Sequence, residues 1–233
     1  MADKKGTMRL ASVALLLAAL VVPASSGAFD LACGDSPVSA EGWTPADAEQ
    51  VCSAVQQTLE WLRTLGLPLA ERVLARPLDV QGFPAGEPPI GRYDPEANEI
   101  QILPFAAAVR AADEKRPACG VPMTEAVWRA FVAHETAHAV AARQFAPGVP
   151  RQTASEYLAS VALLTALPDA VRTAVFANYP DAPGWGSPRE ITMVYYFMEP
   201  CAFAVKSYRH FTALAPSGQR EFIRRLVREG LSD

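Results

Sequence analysis

TEAVWRAFVAHETAHAVAARQF, residues 124–145, reads as one helix: Thr124 suits an N-cap, and Val127, Phe131, His134, His138 and Ala141 recur along one stripe. Inside it, His134-Glu135-Thr136-Ala137-His138 sets two imidazoles four residues apart on one helix face, where both can grip one metal ion. Glu135 then lies beside the water that such an ion activates. Two neutral imidazoles with a carboxylate suit Zn2+ and leave a fourth position for water or substrate, a combination that implies hydrolysis. The chain has only three histidines, and two of them fall in this motif.

Working outward, Pro147-Gly148 and Pro150 stop the helix, and a second one carries Glu156, Leu158, Ala159, Val161, Ala162 and Leu163. Further helices are expected over 168–178, 188–214 and 217–229; Ser187-Pro188-Arg189-Glu190 spells a capping box for the second of these, and Pro200 should kink it. On the N-terminal side, Thr44-Pro45-Ala46-Asp47 opens a helix with Val51, Val55, Leu59 and Leu62 at helical spacing, ending near Gly66. Short apolar alternations at 78–80, 90–93 and 99–103 read as three strands, the last two joined by the hairpin-like Asp94-Pro95-Glu96-Ala97-Asn98. The fold class expected is therefore α+β, one domain over 29–233, with a short antiparallel or mixed sheet in the first half and a mostly helical second half.

A catalytic zinc site normally takes three protein ligands. Another histidine six residues after His138 would complete a metzincin, but that position is Gln144, and His210 is the only histidine left. A glutamate on the following helix is the other common solution. From His138 to Phe145 the helix rises about 10 Å, and an antiparallel helix starting near Arg151 returns about 8 Å by residue 156, which brings Glu156 back toward the histidines. Thr153-Ala154-Ser155-Glu156 is also a capping box, in which the glutamate would bond the Thr153 amide. A helix starting at Pro150 or Arg151 frees the carboxylate for metal; a start at Thr153 turns it back on its own backbone. Glu190, Glu199 and Asp169 are fallback ligands.

At these residues the chain resembles the gluzincins, HExxH metallopeptidases whose third ligand is a glutamate on the next helix. His134, Glu135, His138 and Glu156-Tyr157-Leu158-Ala159-Ser160 carry the resemblance, which covers roughly residues 89–165. Seventeen residues separate His138 from Glu156, slightly fewer than in the best-known members, so the chain looks more like the small, minimal, exported bacterial ones. The resemblance implies a zincin-like domain, a zinc held by His134, His138 and Glu156, a peptide or protein substrate, and an edge strand, here Asn98 to Leu103, that aligns an extended peptide.

Glu135 is the expected general base. A donor for the developing oxyanion is sought on the stripe Tyr195, Glu199, Lys206 and His210, with His210 and Tyr195 preferred and Tyr196, one step round the helix, as plausible as Tyr195. Trp185 reads either as a lip beside substrate or as an aromatic plug over the core.

Lys4, Lys5 and Arg9 precede the apolar run from Leu10 to Val22, followed by Pro23 and small residues, so residues 1–28 are expected to be a secretory signal cleaved after Ala28. Its removal takes three basic residues and one acidic, which moves the net charge from −4 to −6. No basic block remains to hold a nucleic-acid backbone, and no second apolar run is long enough to span a membrane. A soluble protein of the periplasm or the extracellular medium is expected. Cys33, Cys52, Cys119 and Cys201 lie beyond the signal without close CxxC spacing, so two disulfides are favoured over thiolate ligation, with Cys33–Cys52 and Cys119–Cys201 preferred from proximity along the chain. The functional expectation is an exported zinc peptidase; the alternatives are an inactive peptidase-like binding or structural protein and a zinc hydrolase of a non-peptide substrate.

Overall fold

The local chemistry of the first half builds a sheet before it builds the site. In a computed structural model, which describes residues 28–79, 89–115 and 118–231, five strands form: β1 (Phe29–Ala32), β2 (Val38–Trp43), β3 (Val73–Pro77), β4 (Gly91–Asp94) and β5 (Glu99–Ile102). Their order is β1-β2-β3-β5-β4, with β2, β3 and β5 parallel and both outer strands antiparallel to their neighbours. Ile100 and Ile102 are fully buried while Glu99 and Gln101 point the other way, the alternation of a sheet covered on one face. The expected signal over 1–28 lies outside the described residues apart from Ala28.

Eight α-helices are described: α1 (Pro45–Thr64), α2 (Phe105–Lys115), α3 (Glu125–Ala142), α4 (Gln152–Ala166), α5 (Asp169–Asn178), α6 (Met193–Met198), α7 (Pro200–Ala213) and α8 (Pro216–Glu229). The fold is α+β, with a mixed sheet in the N-terminal half and most helices after it. Thr44 caps α1 by accepting from the Asp47 amide, and Thr124 caps α3 by accepting from Val127. Helices α1 and α3 pack on the sheet, and α4 packs on α3 with α7 beyond it. Helix α3 is consequently buried nearly all round, its Trp128 indole donating to the Leu103 carbonyl at 2.8 Å and thereby fixing the helix to the end of β5.

Several expectations shift. Strands β1 and β2 lie in the stretch before α1 that carried no predicted structure, where Gly42 and Glu41 obscure the alternation of Val38, Ala40 and Trp43. The strand expected at 78–80 lies earlier, at Val73–Pro77, although the Leu78 amide still donates to the Ile102 carbonyl; Val80 is outside the described residues. Helix α2, rich in alanine, was not expected. The single kinked helix over 188–214 is in fact a 3-10 turn (Pro188–Glu190) followed by α6 and α7. Pro200 sits at the first position of α7 and Glu199 before it leaves helical geometry (φ −141°, ψ 66°), since proline lacks the amide to continue a helix and pushes the preceding residue toward extended conformations.

Both expected disulfides form: Cys33–Cys52 ties the β1–β2 connection to α1, and Cys119–Cys201 ties the segment before α3 to the start of α7. At the other end of the molecule α8 braces the loop between α3 and α4. The Ala146 amide donates to the Val227 carbonyl, and Gly230, at φ +73°, lies so close to Pro150 that a Cβ there would collide with the proline carbonyl. No described helix is long and apolar enough to cross a membrane.

Loop closure sets the two disulfides apart. Cys119 and Cys201 are 82 residues apart and Cys33 and Cys52 are 19 apart. Chain entropy alone makes the first worth about 4–5 kcal/mol and the second about 3 kcal/mol. Urea unfolding of a Cys119→Ala/Cys201→Ala protein should therefore show the larger loss of stability, compared with Cys33→Ala/Cys52→Ala.

Candidate metal centre

Helix α3 supplies His134 and His138 and α4, running back against it, supplies Ser155 and Glu156. Small residues favour a close approach: Ala137 and Ala141 on α3 and Ala154, Ala159 and Ala162 on α4 are all buried in one cluster. Helix α4 begins at Gln152 with Arg151 as its N-cap, and no side chain caps it. The capping box at Thr153 therefore does not form: Thr153 is a buried residue inside the first turn, and Glu156 is free to face α3.

His134 Nε2 and His138 Nε2 stand 3.1 Å apart, and Glu156 Oε2 lies 3.7 and 3.6 Å from them. A tetrahedral ion with ligand bonds of about 2.05 Å has ligand–ligand edges of about 3.3 Å, so all three separations match one coordination face. His138 Nδ1 lies 2.7 Å from Ser155 Oγ; the tautomer that donates there directs the Nε2 lone pair into the cluster. Glu156 Oε2 is buried without a hydrogen-bond donor, although two ring nitrogens are within 4 Å. Acceptor atoms held this close in a buried place repel one another unless a cation lies among them. Two imidazoles and a carboxylate thus form a group able to hold a metal ion.

The electrostatics divide the two glutamates. Burial alone would raise Glu156, but the two imidazoles and the Tyr196 phenol outweigh it and hold the carboxyl down to about 2. Glu135 is pushed up to about 7, chiefly by burial, with only a backbone amide at Tyr93 and His138 opposing. His134 is pushed down to about 4 by burial and by the His138 charge, whereas the carboxylates Glu156 and Glu135 outweigh burial at His138 and raise it. The Tyr196 phenol is raised by burial and by Glu156, so it stays protonated as a donor.

Glu135 reaches toward β4. A Cβ on Gly91 would lie 2.9 Å from Glu135 Cγ and 3.1 Å from Oε1, so glycine leaves the space this carboxylate occupies. Among the described residues β4 is an edge of the sheet, with β1 at the other, which corrects the expectation for Asn98 to Leu103: β5 is paired on both sides, to β3 and β4. Leu103 donates to the Ile90 carbonyl, so by strand alternation the backbone groups of Gly91 and Tyr93 face away from β5, toward the cleft. That cleft, of about 630 Å³, runs past Gly91, Tyr93, His134, Glu135, His138 and Tyr196.

His210 and Tyr195 do not reach it. His210 Nδ1 is 2.6 Å from the buried Tyr157 hydroxyl and its ring packs on Phe222; Tyr195 packs edge-on against Trp185. Of the two tyrosines one step apart, Tyr196 is the one whose phenol meets Glu156. Trp185 is a plug over the core, 6% exposed, its indole donating to Ser207. The fallback ligands are engaged elsewhere: Glu190 accepts from the Gly186 amide, Asp169 pairs with Arg172, and Glu199 is the joint between α6 and α7. Sequence reasoning missed Ser155, Gly91 and Tyr93. A glycine within a strand next to the hairpin was the available sign of a close approach.

Comparison with known families places the chain. It belongs to DUF6639, a family of unknown function, whose profile matches residues 38–232. The DUF6639 match runs from β2 to the end of α8 and so includes every wall of the cleft. No curated protein and no solved structure matches.

In metal-free protein the buried Glu135 favours its neutral form, so its folded-state pKa stands above the unfolded value of 4.5 at about 7. Its contribution to stability is then full below pH 4.5 and lost as the pH rises through 7. A Glu135→Gln variant is free of this loss and should gain on wild type by up to about 3 kcal/mol between pH 4.5 and 8, in urea melts in the presence of chelator.

Proposed function

We propose that the protein is an exported zinc-dependent peptidase, a reading carried by the convergence of His134 Nε2, His138 Nε2 and Glu156 Oε2 beside a buried Glu135. When bound there, zinc supplies Lewis acidity toward a substrate carbonyl and lowers the pKa of a water. Zinc is preferred over harder ions because two of the three donors are imidazole nitrogens.

Glu135 accepts the proton of the attacking water and passes it to the leaving amine; burial brings its pKa close to neutrality, where a general base works best. Tyr196, held protonated above the cluster, donates to the oxygen on which negative charge develops, the role first sought at His210 and Tyr195. Ser155 fixes the tautomer of His138. The outward backbone groups of Gly91 and the outward carbonyl of Tyr93, whose amide bonds Glu135, add an extended peptide to the sheet by main-chain hydrogen bonds. Export is supported by the two disulfides, by the charged and apolar pattern of residues 1–28, and by the lack of a membrane-crossing helix among the described residues.

Metal analysis of purified protein should find about one zinc per chain, with Glu156→Ala losing it or binding it far more weakly. Glu135→Gln should keep the zinc and lower peptide hydrolysis by about 10²–10⁴-fold. Zinc-loaded wild type that hydrolyses no peptide would leave a metal-binding protein without this activity, and a Glu135→Gln protein as active as wild type would remove Glu135 from the mechanism.

A further inference from the structure

Two chambers of opposite chemistry meet at the metal cluster. Gly91, His134, Glu135 and Tyr196 line both. On one side lies the larger cleft, whose outer wall carries Arg92, Arg143 and Arg151. On the other is a chamber of about 300 Å³ walled by Ile90, Phe131, Leu163, Ala204 and the Cys119–Cys201 disulfide. A substrate lying across Glu135 must place one flank in each.

The charge on the first side is not balanced by its own wall. Apart from Glu135 and Glu156 at the metal cluster, no described lining residue is a carboxylate. Glu71 reaches Arg143 Nε at 3.0 Å, and Arg92 bonds Gln101. Asp94, near Arg92, spends its carboxylate on the Glu96 and Ala97 amides. Arg151 is exposed, has no partner among the described residues, and stands one helical turn from Ser155 and Glu156. A chain of net charge −4 repels anions as a whole, so Arg151, the guanidinium in this concave wall that no described carboxylate pairs, focuses attraction on this one place beside the Arg143–Glu71 pair. Among the described residues the lining of the opposite chamber carries no lysine or arginine and offers aliphatic and aromatic surface.

We propose that the cleft selects peptides with a carboxylate group on the Arg143 and Arg151 side of the cleaved bond and an apolar side chain on the disulfide side. This rests on the peptidase reading for the cleavage but not for the binding. The carboxylate belongs either to an acidic side chain or to a peptide C terminus, and both present the same planar anion to a guanidinium fork.

The test uses fluorescein-labelled hexapeptides with one Phe among glycines and a pair of Glu, Gln or Lys residues placed before or after it, each with a free or amidated C terminus. Their affinity for zinc-loaded Glu135→Gln protein is read by fluorescence anisotropy, and their cleavage by wild type is read by mass spectrometry. Glu peptides should bind about fivefold tighter than Gln peptides, with Lys peptides weakest, in one of the two placements, and replacing Phe with Ser should weaken them further. Loss of affinity on amidation, with no difference between Glu and Gln, would assign the anion to the C terminus. Arg151→Ala should reduce the Glu-to-Gln ratio toward one and Arg151→Glu should invert it; both change an exposed, unpartnered side chain that the fold does not use. Equal binding of Glu, Gln and Lys peptides with no effect of amidation, or a preference for the anion (Glu over Gln, or a free over an amidated terminus) that neither Arg151 variant moves, overturns the inference. Cleavage without preference overturns it and leaves the peptidase reading standing. Preferential binding without cleavage does the reverse, and no binding by any peptide overturns both.

Discussion

The distance between α3 and α4 governs the rest of the site. Helices joined by a loop usually pack with axes about 8–10 Å apart, the value depending on the side chains between them. Here alanines are frequent among those side chains: Ala137 and Ala141 of α3 and Ala154, Ala159 and Ala162 of α4 are buried in one cluster. A glutamate side chain then suffices to bring Glu156 Oε2 within 3.6–3.7 Å of both imidazoles. A leucine at any of these facing positions would hold the helices apart and open those distances beyond what one ion can bridge. The same closeness leaves the His134 and His138 side chains only 13% and 14% exposed, which reduces the solvent that weakens interactions among them.

Two carboxylates stand within this small region with opposite properties. Glu156 faces imidazoles and a phenol, all able to stabilise its charge. Glu135 faces Ile102 and the bare backbone of Gly91, with little to stabilise a charge and burial acting against it. Environment separates a permanent anion suited to hold a cation from a group poised to take up and release a proton. One step along the sequence, from His134 to Glu135, turns the helix by about 100° and so changes which neighbours a side chain meets.

The helical motif, the return of Glu156 toward it and the Cys33–Cys52 pair were legible because each rests on local spacing or on short reach along the chain, and Cys119–Cys201, 82 residues apart, followed as the remaining pair. Four residues between His134 and His138 is one helical turn, and the return of α4 is fixed by rise per residue. The parts that were not legible depend on who neighbours whom in space. Nothing local tells that β5 is paired on both sides while β4 is at an edge among the described residues, because that is decided by β3, more than twenty residues earlier. Tyr195 and Tyr196 carry equal propensity, and only the spatial neighbours, Trp185 for one and Glu156 for the other, distinguish them. His210 looked chemically apt, yet the Tyr157 hydroxyl on the far face of α4 satisfies it.

The lip of the cleft has an ancestry in the order of synthesis. Its floor comes from residues 91 to 156, its roof from Tyr196 and the disulfide at Cys201, and the loop bearing Arg143 and Arg151 is held by the Val227 carbonyl and by Gly230 against Pro150. A growing chain that has reached α5 already contains the side chains of His134, His138 and Glu156, but it lacks the roof and the brace. Complete cleft geometry must wait for α8, so a chain still being made carries the clustered residues without the walls that enclose them.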